Sequence, residues 1–373
     1  MIYLDSAATT LQKPPAVARA AANAIQHMAT PGRGGHQAAM SAASVAFACR
    51  EEAAKLFGVS DPAQVVFTFN ATHGLNIAIH SLVKPGSTVL ISGYEHNAVT
   101  RPLHAIEGVT IKVAQAPVFD QKAILAEFDR QMTQEVSVAI TTHVSNVFGF
   151  VLPVEEIAQL CRSRGVPLIV DASQSAGCLP ISMGELGAAF IAMPGHKGLY
   201  GPQGTGLLLC ADSAQPLLAG GTGSESRLQD MPAFLPDRLE AGTHNIPGIA
   251  GLLEGLRFIQ GKGLRRIQFH ESNLIREMGR GLREIPDVEV FQSADPSAQA
   301  GVLSFRRDGW DCEELGEALA ERAIAVRAGL HCAPLAHQSA GTLESGTVRA
   351  SVSAFTTTGD IRRFLQEMRR LSR

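Results

Sequence analysis

The chain lacks the features that mark membrane-spanning, secreted and nucleic-acid-binding proteins. No apolar stretch approaches the roughly 18 residues that are needed to cross a bilayer. The opening residues, MIYLDSAATT, have no basic segment followed by an apolar run, which is the pattern of a signal peptide. The formal net charge is only −3, and no block of like charges occurs, so we expect neither nucleic acid nor a membrane surface as a partner.

The spacing of the cysteines matches neither a metal site nor a disulfide framework. The six cysteines are scattered, with no CxxC pair and no disulfide framework. In a chain of 373 residues this distribution is typical of reduced thiols, so we expect a cytoplasmic protein without a metal site. Hydrophobic residues make up 45% and charged residues 18%, as in an ordinary globular protein. The length allows two domains or one large α/β unit.

Short apolar runs alternate with helical patterns between about residues 15 and 210. The runs are VVFTF (65–69), TVLIS (88–92), VSVAITTHV (136–144), PLIVDAS (167–173), AAFIAM (188–193) and GTGLLL (204–209). β-Branched runs separated by amphipathic helices are typical of a mainly parallel sheet that is covered by helices on both faces. Ligands of such sheets bind beyond the carboxyl ends of the strands, so polar residues that follow these runs are candidates for function.

The C-terminal part of the chain has a different pattern. A loose Gly/Pro-rich stretch covers about 211–245, and helical patterns resume at about 247–285. The last ninety residues then alternate strand and helix patterns, which predicts a smaller α+β domain. We expect a large domain at 15–255, and a small domain built from 1–14 together with 256–373.

Two candidate residues follow apolar runs in the middle of the chain. Lys197 lies in the turn Met-Pro-Gly-His-Lys-Gly. Such a lysine is usually solvated, but a partly desolvated amine can act as a neutral nucleophile. Asp171 ends the run LIVD, and Gln174 follows three positions later. A carboxylate there usually caps the next helix, although it can also pair with a protonated nitrogen of a heteroaromatic cofactor.

Two further candidates lie at earlier strand-to-helix junctions. In NATHGLN (70–76), the backbone N–H groups near Ala71 and the hydroxyl of Thr72 could bind a phosphate, although a simple helix cap is an equally good explanation. His96 in YEHN (94–97) could lie flat on a heteroaromatic ring. A single histidine in a loop is more often a surface residue.

The motifs together, in their order along the chain, resemble one protein family. NATHG, YEHN, SNVFG, VDASQS, GHKGLYGPQGTG and EAGTHN closely resemble the class V aminotransferases, which use pyridoxal 5′-phosphate (PLP). Within that family, VRAGLHCAP resembles the cysteine desulfurase and selenocysteine lyase group. The similarity extends from LDSAATT (4–10) to VRASVSAF (348–355). It implies the α/β fold of type I PLP-dependent transferases, with a mainly parallel, seven-stranded type of sheet, and a homodimer.

The resemblance also implies how the cofactor would be held. Lys197 would bind PLP as a Schiff base, and Asp171 would pair with the pyridine nitrogen. Gln174 would reach the phenolate oxygen, and His96 would stack on the ring and take part in catalysis. The phosphate would be held by Ala71, Thr72, His196 and, from a partner subunit, Thr243.

The same resemblance implies which residues would bind the substrate. Asn146 and Arg349 would hold the substrate carboxylate, for which the planar fork of arginine is well suited. Arg327 of VRAGLHCAP and His36 of RGGHQ (33–37) are further candidates for this site.

Cys332 determines which reaction is expected. A cysteine is usually a small buried hydrophobe, and we expect this of the other five. Cys332 instead lies in a Gly/Pro-punctuated loop beside basic residues, a setting that favours the nucleophilic thiolate. The resemblance then implies conversion of L-cysteine to L-alanine, with the sulfur transferred to Cys332 as a persulfide. Only 17 positions separate Cys332 from Arg349. This short loop resembles the branch that delivers sulfur to a dedicated acceptor protein, as in iron–sulfur cluster assembly.

Two positions depart from the family pattern, and two other functions remain open. Pro194 stands where relatives usually have a hydroxyl that bonds the phosphate, and His73 stands where they commonly have an acidic residue. Proline has neither a hydroxyl nor an N–H, so PLP affinity is the property in question. One alternative is a selenocysteine lyase or another class V lyase or transaminase. The other is a non-catalytic PLP-fold scaffold, which Pro194 alone supports.

Overall fold

The computed structural model describes residues 1–32, 34–211 and 214–371. The strands are β1 (Ile2–Tyr3), β2 (Val65–Thr68), β3 (Thr88–Ser92), β4 (Thr110–Ala114), β5 (Val136–Thr142), β6 (Leu168–Asp171), β7 (Phe190–Pro194), β8 (Gly206–Cys210), β9 (Val288–Phe291), β10 (Val302–Arg307), β11 (Ile324–Ala325), β12 (Arg327–Gly329) and β13 (Thr347–Ser351). The helices are α1 (Pro15–His27), α2 (Gln37–Phe57), α3 (Ala71–Leu82), α4 (Asn97–Ala105), α5 (Gln121–Gln131), α6 (Val154–Arg164), α7 (Met183–Leu186), α8 (Ile246–Lys262), α9 (Leu264–Arg283), α10 (Cys312–Glu321), α11 (Pro334–Ala340) and α12 (Thr358–Arg370). Across these residues, no helix combines the length and apolarity that a membrane crossing requires.

A seven-stranded sheet forms the centre of the larger part of the fold, which confirms the predicted α/β class. Its strand order is β2-β8-β7-β6-β5-β3-β4. The pairs from β7 to β4 are parallel, whereas β8 is antiparallel to both β7 and β2. The direction of β8 could not be predicted, because a fully buried strand shows the same continuous apolar run in either direction.

The helices that follow β2 and β3 begin at the carboxyl edge of this sheet, and a polar side chain caps each of them. The side chain of Asn70 accepts a 2.9 Å hydrogen bond from the backbone N–H of His73 at the start of α3. His96 Nδ1 accepts a 3.0 Å hydrogen bond from the N–H of Ala98 at the start of α4. Both helix N-termini therefore lie where ligands of parallel sheets bind.

The C-terminal part of the chain forms a second sheet with its own apolar core. The order of this antiparallel sheet is β12-β13-β10-β9, and Phe305 and Phe364 are fully buried in its core. The N-terminal segment joins this part of the fold, because β1 pairs with β11 and the N–H of Ser351 donates to the carbonyl of Leu4 at 2.7 Å. These contacts support the proposed small domain of 1–14 and 256–373, whose boundaries remain a proposal.

Candidate active site

A cavity of about 100 Å³ lies at the carboxyl edge of the seven-stranded sheet, and we call it the main cavity. Residues from motifs more than a hundred positions apart in the sequence meet in its wall. Eight of the predicted site residues line it: Ala71, Thr72, His96, Asn146, Asp171, Gln174, His196 and Lys197. The structure therefore brings most of the predicted site together, while the role of each residue remains a prediction.

Lys197 projects from the tight turn that follows β7. Glycine is required at position 195, because a Cβ there would lie 2.1 Å from Oγ1 of Thr205. The N–H of Gly195 donates to the carbonyl of Thr205 at 2.8 Å, and the N–H of Tyr200 donates to the carbonyl of Lys197 at 3.0 Å. These bonds fix the backbone that carries the Lys197 amine.

The surroundings of Lys197 favour its neutral amine. Burial lowers the pKa of Lys197 from 10.5 to about 8. The negative charge of Asp171 opposes this shift, and the positive charge of Arg349 reinforces it. A neutral amine is the form that can react with a carbonyl group or remove a proton.

Asp171 and Gln174 lie on the loop that follows β6. Asp171 is buried, and its Oδ1 accepts a 2.9 Å hydrogen bond from the N–H of Ser173. Gln174 Nε2 donates to the carbonyl of Ala7 at 2.9 Å, so this amide also connects the loop to the N-terminal segment. Ser173 lines the main cavity as well and was not selected from the sequence.

The imidazole of His96 is held in one orientation by its position as the cap of α4. Its Nδ1 accepts from the N–H of Ala98, so in the neutral ring the proton lies on Nε2. Burial lowers the pKa of His96, and the charge of Lys197 lowers it further, although Asp171 opposes both effects. The ring is therefore neutral around pH 7.

The predicted phosphate end of the cavity is formed by the first turn of α3 and by His196. Ala71 and Thr72 belong to this turn, whose backbone N–H groups have no partners within the helix. His196 Nδ1 lies 3.0 Å from Oγ1 of Thr9. Burial and the neighbouring lysine charges lower the pKa of His196 to about 4, so the ring can serve as a neutral hydrogen-bonding group.

The two departures from the family pattern differ in their placement. Pro194 lines the main cavity, at a position where a hydroxyl side chain would face the same space. His73 stacks on Phe69, with the ring centroids 4.6 Å apart, and its Nδ1 accepts from the N–H of Phe69 at 3.3 Å. His73 does not line the main cavity.

Asn146 and Arg349 contact each other beside the main cavity. Asn146 Nδ2 donates to the carbonyl of His331 at 2.8 Å, and Arg349 Nη1 donates to the carbonyl of Asn146 at 3.0 Å. Arg349 is 3% exposed, and its Nε has no hydrogen-bond partner among the described residues. A buried donor without a partner is costly, which suits a residue that binds an anionic ligand.

Asp5 connects the two predicted substrate arginines and was not among the residues predicted from the sequence. Arg349 Nη2 donates to Asp5 Oδ1 at 3.1 Å, and Arg327 Nη2 donates to Asp5 Oδ2 at 2.8 Å. The motif LDSAATT, which contains Asp5, was the available signal. Its pairing with residues more than 320 positions away could not be deduced from local sequence.

Glu95 was also missed, although it directly precedes His96. Its buried carboxylate accepts hydrogen bonds from the N–H of Thr142, at 2.7 Å, and from the hydroxyl of Ser92. Burial raises the pKa of Glu95 to about 8, although these hydrogen bonds oppose the shift. Glu95 thus links the ends of β3 and β5 next to the site. Its signal in the sequence was that of a charged residue just after an apolar run.

Cys332 is exposed in the loop between β12 and α11. Both His331 and Cys332 have left-handed backbone conformations, with φ of 50° and 56°. The carbonyl of Cys332 accepts a 2.8 Å hydrogen bond from the N–H of Asn97. Of the other cysteines, three are buried as expected, while Cys178 and Cys312 are partly exposed, so that expectation was wrong for these two.

Thr243 and His36 do not line the main cavity of this chain. Both side chains are exposed, and His36 caps α2 by accepting a 3.4 Å hydrogen bond from the N–H of Ala39. The partner-subunit role of Thr243 is untested by a single chain. Arg33 of the RGGHQ motif lies outside the described residues.

Comparison with protein families gives a match that covers nearly the whole chain. The aminotransferase class-V family model matches residues 2–364. A probable cysteine desulfurase of Mycolicibacterium paratuberculosis is 34% identical over 390 residues, which is 100% of this chain and 55% of that protein. The chain therefore spans about half the length of this relative. A probable cysteine desulfurase of Methanothermobacter thermautotrophicus is 32% identical over 96% of this chain and 92% of that protein.

Solved structures of similar proteins have the same fold. The apo structure of a cysteine desulfurase from Thermococcus onnurineus has a TM-score of 0.91 and 29% identity, over 99% of this chain and 94% of that chain. A cysteine desulfurase from Escherichia coli has a TM-score of 0.87 and 26% identity, over 99% of this chain and 94% of that chain.

Proposed function

The chain belongs to the class-V aminotransferase family, and from this we propose that it is a PLP-dependent cysteine desulfurase. It would convert L-cysteine to L-alanine and take up the sulfur as a persulfide on Cys332. The observation that carries the proposal is the meeting of Lys197, Asp171 and His96 in one cavity, with the exposed Cys332 hydrogen-bonded to the residue after His96. The relatives named as cysteine desulfurases support this choice of reaction.

The residues of the main cavity fit PLP, the cofactor on which this family depends. The Lys197 amine would attach the cofactor, and the Asp171 carboxylate would pair with its pyridine nitrogen. Thr72 and the first turn of α3 would hold its phosphate. When bound, PLP withdraws electrons from the Cα of an amino acid and so makes its proton easier to remove.

Lys197 would act as the base and then as the acid of the reaction. With a pKa of about 8, its amine can take the Cα proton of L-cysteine and then return a proton as the ammonium form. The neutral ring of His96 would cover the reacting atoms, with its Nε2–H directed away from the helix that Nδ1 caps.

Arg349 and Asn146 would orient the substrate through its carboxylate. The unpartnered Nε of Arg349 gives this guanidinium a free donor, although its other nitrogens are already engaged. A substrate carboxylate would satisfy that donor with a charge-assisted hydrogen bond. Asp5, which bonds both Arg349 and Arg327, would keep the guanidinium in place.

Cys332 would receive the sulfur. Its thiolate would attack the substrate sulfur, so that an S–S bond forms as the substrate Cβ–S bond breaks. The electron pair of the broken bond stays with the substrate carbon, which then takes up a proton, and the product is L-alanine. Because Cys332 is exposed, its persulfide would be open to a sulfur-acceptor protein.

The remaining parts of the proposal concern the assembly and its setting. We infer a homodimer in which Thr243 of one subunit reaches the phosphate of the other, since Thr243 is exposed and lies outside its own cavity. We further infer a role in iron–sulfur cluster assembly in the cytoplasm, where the six free cysteines would remain reduced.

The test is a visible absorption spectrum of the purified holoenzyme, taken before and after addition of L-cysteine, with sulfide and alanine assayed in the same sample. We expect the spectrum of protein-bound PLP to change, and sulfide and alanine to form in equal amounts when a reducing thiol is present. Bound PLP without either product would reject the desulfurase activity. Failure to bind added PLP at all would reject the cofactor assignment.

A further inference from the structure

Lys197 contributes to the wall of a second cavity as well as to that of the main one. This inner cavity has a volume of about 20 Å³, which is room for one water molecule. Its wall includes Gln174, Cys178, Tyr200 and Glu271, in addition to Lys197. Lys197 therefore borders both the inner cavity and the proposed catalytic space.

A third cavity continues from the inner one towards the protein surface. This outer cavity, of about 40 Å³, shares Cys178 and Glu271 with the inner cavity. It extends to Ser272 and to the exposed Ser297. The inner cavity thus shares Lys197 with the main cavity and Glu271 with the outer cavity, which reaches the surface.

The Glu271 carboxyl is buried and only partly satisfied. Glu271 is 3% exposed, and its Oε1 has no hydrogen-bond partner among the described residues. A hydrogen bond joins it to Cys178. The carboxyl packs closely against position 301, because a Cβ there would lie 2.8 Å from Oε2 and the carboxyl would have to shift. Burying such a group without partners is costly unless it carries a proton or contacts water.

Glu271 differs from its titratable neighbours in the pH range over which it exchanges a proton. Burial raises the pKa of Glu271 to about 8, close to that of Lys197. Burial raises the pKa values of both Cys178 and Tyr200 well above their ordinary range, so neither of these groups loses its proton near pH 7. Proton transfer between Glu271 and Lys197 is then close to balanced, as efficient acid–base exchange requires.

The proposed reaction needs a source of one proton beyond the substrate's Cα. In going from L-cysteine to L-alanine, Cβ gains a hydrogen while Cα ends with the one it began with. If Lys197 takes the Cα proton and protonates both carbons, it has received one proton and must deliver two. The two thiols that join as a persulfide release one proton, so the overall reaction balances, but this proton or one from solvent must still be brought to the lysine.

We propose that Glu271 passes protons between solvent and the Lys197 amine. The Glu271 carboxylic acid would give its proton, through a water in the inner cavity, to the neutral amine, leaving a carboxylate and an ammonium. The carboxylate would regain a proton from solvent through the outer cavity. No bond other than those to the moving protons changes. The use of this route in catalysis rests on the proposed function, whereas the proton exchange of Glu271 does not.

The test compares Glu271→Gln, which keeps the shape but removes the acid, with the control Glu277→Gln. Glu277 lies on the same helix and pairs with Arg362 away from the cavities. The first readout is the infrared band of a protonated carboxyl group near pH 7, followed after transfer to D2O. Glu95, whose pKa is also raised to about 8, contributes to this band in every variant. We expect a further component that is lost in Glu271→Gln but kept in the control, and that shifts in D2O faster than the core amides exchange. Absence of this component, or its failure to shift, would overturn the proposal.

The second readout is the isotope content of alanine made by the holoenzyme in D2O. In the wild type, the substrate's Cα hydrogen should be lost to solvent from Lys197. In Glu271→Gln this exchange should slow by roughly 10²-fold, the lower end of what a positioned acid–base group contributes, so alanine should retain that hydrogen. Exchange at the wild-type rate would overturn the proposal even if turnover fell. If no alanine forms in the wild type, the desulfurase proposal fails, and the infrared readout still decides the role of Glu271.

A second variant tests the route without removing the acid. Gly301→Ala places a methyl group against Oε2 of Glu271 and should displace the carboxyl. We expect it to slow the infrared exchange as well. Fast infrared exchange in Gly301→Ala, or loss of the Cα hydrogen at the wild-type rate in a Glu271→Gln enzyme confirmed as folded by its thermal unfolding, would show that protons bypass Glu271.

Discussion

The backbone N–H of Asn97 donates a 2.8 Å hydrogen bond to the carbonyl oxygen of Cys332. Cys332 and the preceding His331 both have positive φ, a conformation that costs an L-residue about 1 kcal/mol or more. The bond from Asn97 is one of the contacts that hold this strained turn. Since Asn97 begins the helix that His96 caps, the thiol loop and the imidazole of the main cavity are held by the same helix start.

The proposed role of Cys332 predicts a specific loss in Cys332→Ala. The variant should bind PLP normally, because Cys332 does not line the main cavity. Its formation of sulfide and alanine from L-cysteine should fall by about 10²-fold or more, as expected when a nucleophile is removed. The half-buried Cys312 provides the control, since Cys312→Ala should keep full activity. Undiminished product formation by Cys332→Ala would rule out the assigned role.

The lowered pKa of Lys197 predicts a rise in stability with pH. Burial lowers this pKa to about 8, whereas an unfolded lysine titrates near 10.5. Between these values the folded state has lost a proton that the unfolded state still holds, so the free energy of unfolding rises with pH. The raised pKa values of buried Cys49, Cys161 and Cys178 act in the opposite direction over the same range. The contribution of Lys197 is therefore measured, by urea unfolding of the cofactor-free protein, as the difference between the wild type and Lys197→Met, whose free energy of unfolding should rise less, or fall more, with pH.

Lys13 is the necessary control for that experiment, because burial lowers its pKa to about 8 as well. Lys13→Met should remove its own share of the pH dependence and leave the share of Lys197. If Lys197→Met and the wild type have the same slope, the amine of Lys197 is charged in the folded state, contrary to the proposal.

The central sheet was predictable because its strands have a recognisable local sequence pattern. Runs such as LIVD at 168–171 are continuous, β-branched and buried on both faces, and each lies between helical patterns. The two-residue strands β1 and β11 were not predicted, because so short a pairing has no periodicity and depends on distant chain segments meeting. The direction of β8 was not predicted either, because a fully buried strand has the same apolar pattern in both directions.

Some site residues could likewise be recognised from the local sequence, whereas others depend on contacts with distant parts of the chain. Lys197, Asp171 and His96 were found because each follows an apolar run and belongs to a motif that resembles a known family. Asp5 belongs to LDSAATT, but its role depends on two arginines more than 300 positions away, and the sequence around Glu271 gives no sign that this carboxyl is buried. Such residues become visible only when the tertiary contacts are known.

Restoring a hydroxyl at position 194 should strengthen PLP binding. Pro194 lines the main cavity at the end of β7, where the family usually has a hydroxyl side chain. One hydrogen bond to a charged phosphate is worth about 1.4 kcal/mol, so Pro194→Thr should lower the Kd for PLP by about tenfold. Pro194→Val has the shape of threonine without the hydroxyl and should not. Equal PLP affinities of the two variants, measured by equilibrium titration, would show that no phosphate contact was missing.

Asp5 should be required both for stability and for substrate affinity. It is 8% exposed and accepts hydrogen bonds from Arg349 and Arg327, so Asp5→Asn leaves the buried guanidinium of Arg349 without a counter-charge. Removing one partner of a buried ion pair costs about 3 kcal/mol, which urea unfolding would detect. The KM for L-cysteine should rise more than kcat falls, because the loss lies in the orientation of Arg349 and leaves Lys197 and Cys332 intact.

Glu254→Gln, which breaks the more exposed pair with Arg257, should change neither property. A normal KM in Asp5→Asn would mean that the contact of Arg349 with the carbonyl of Asn146 is sufficient to position its guanidinium.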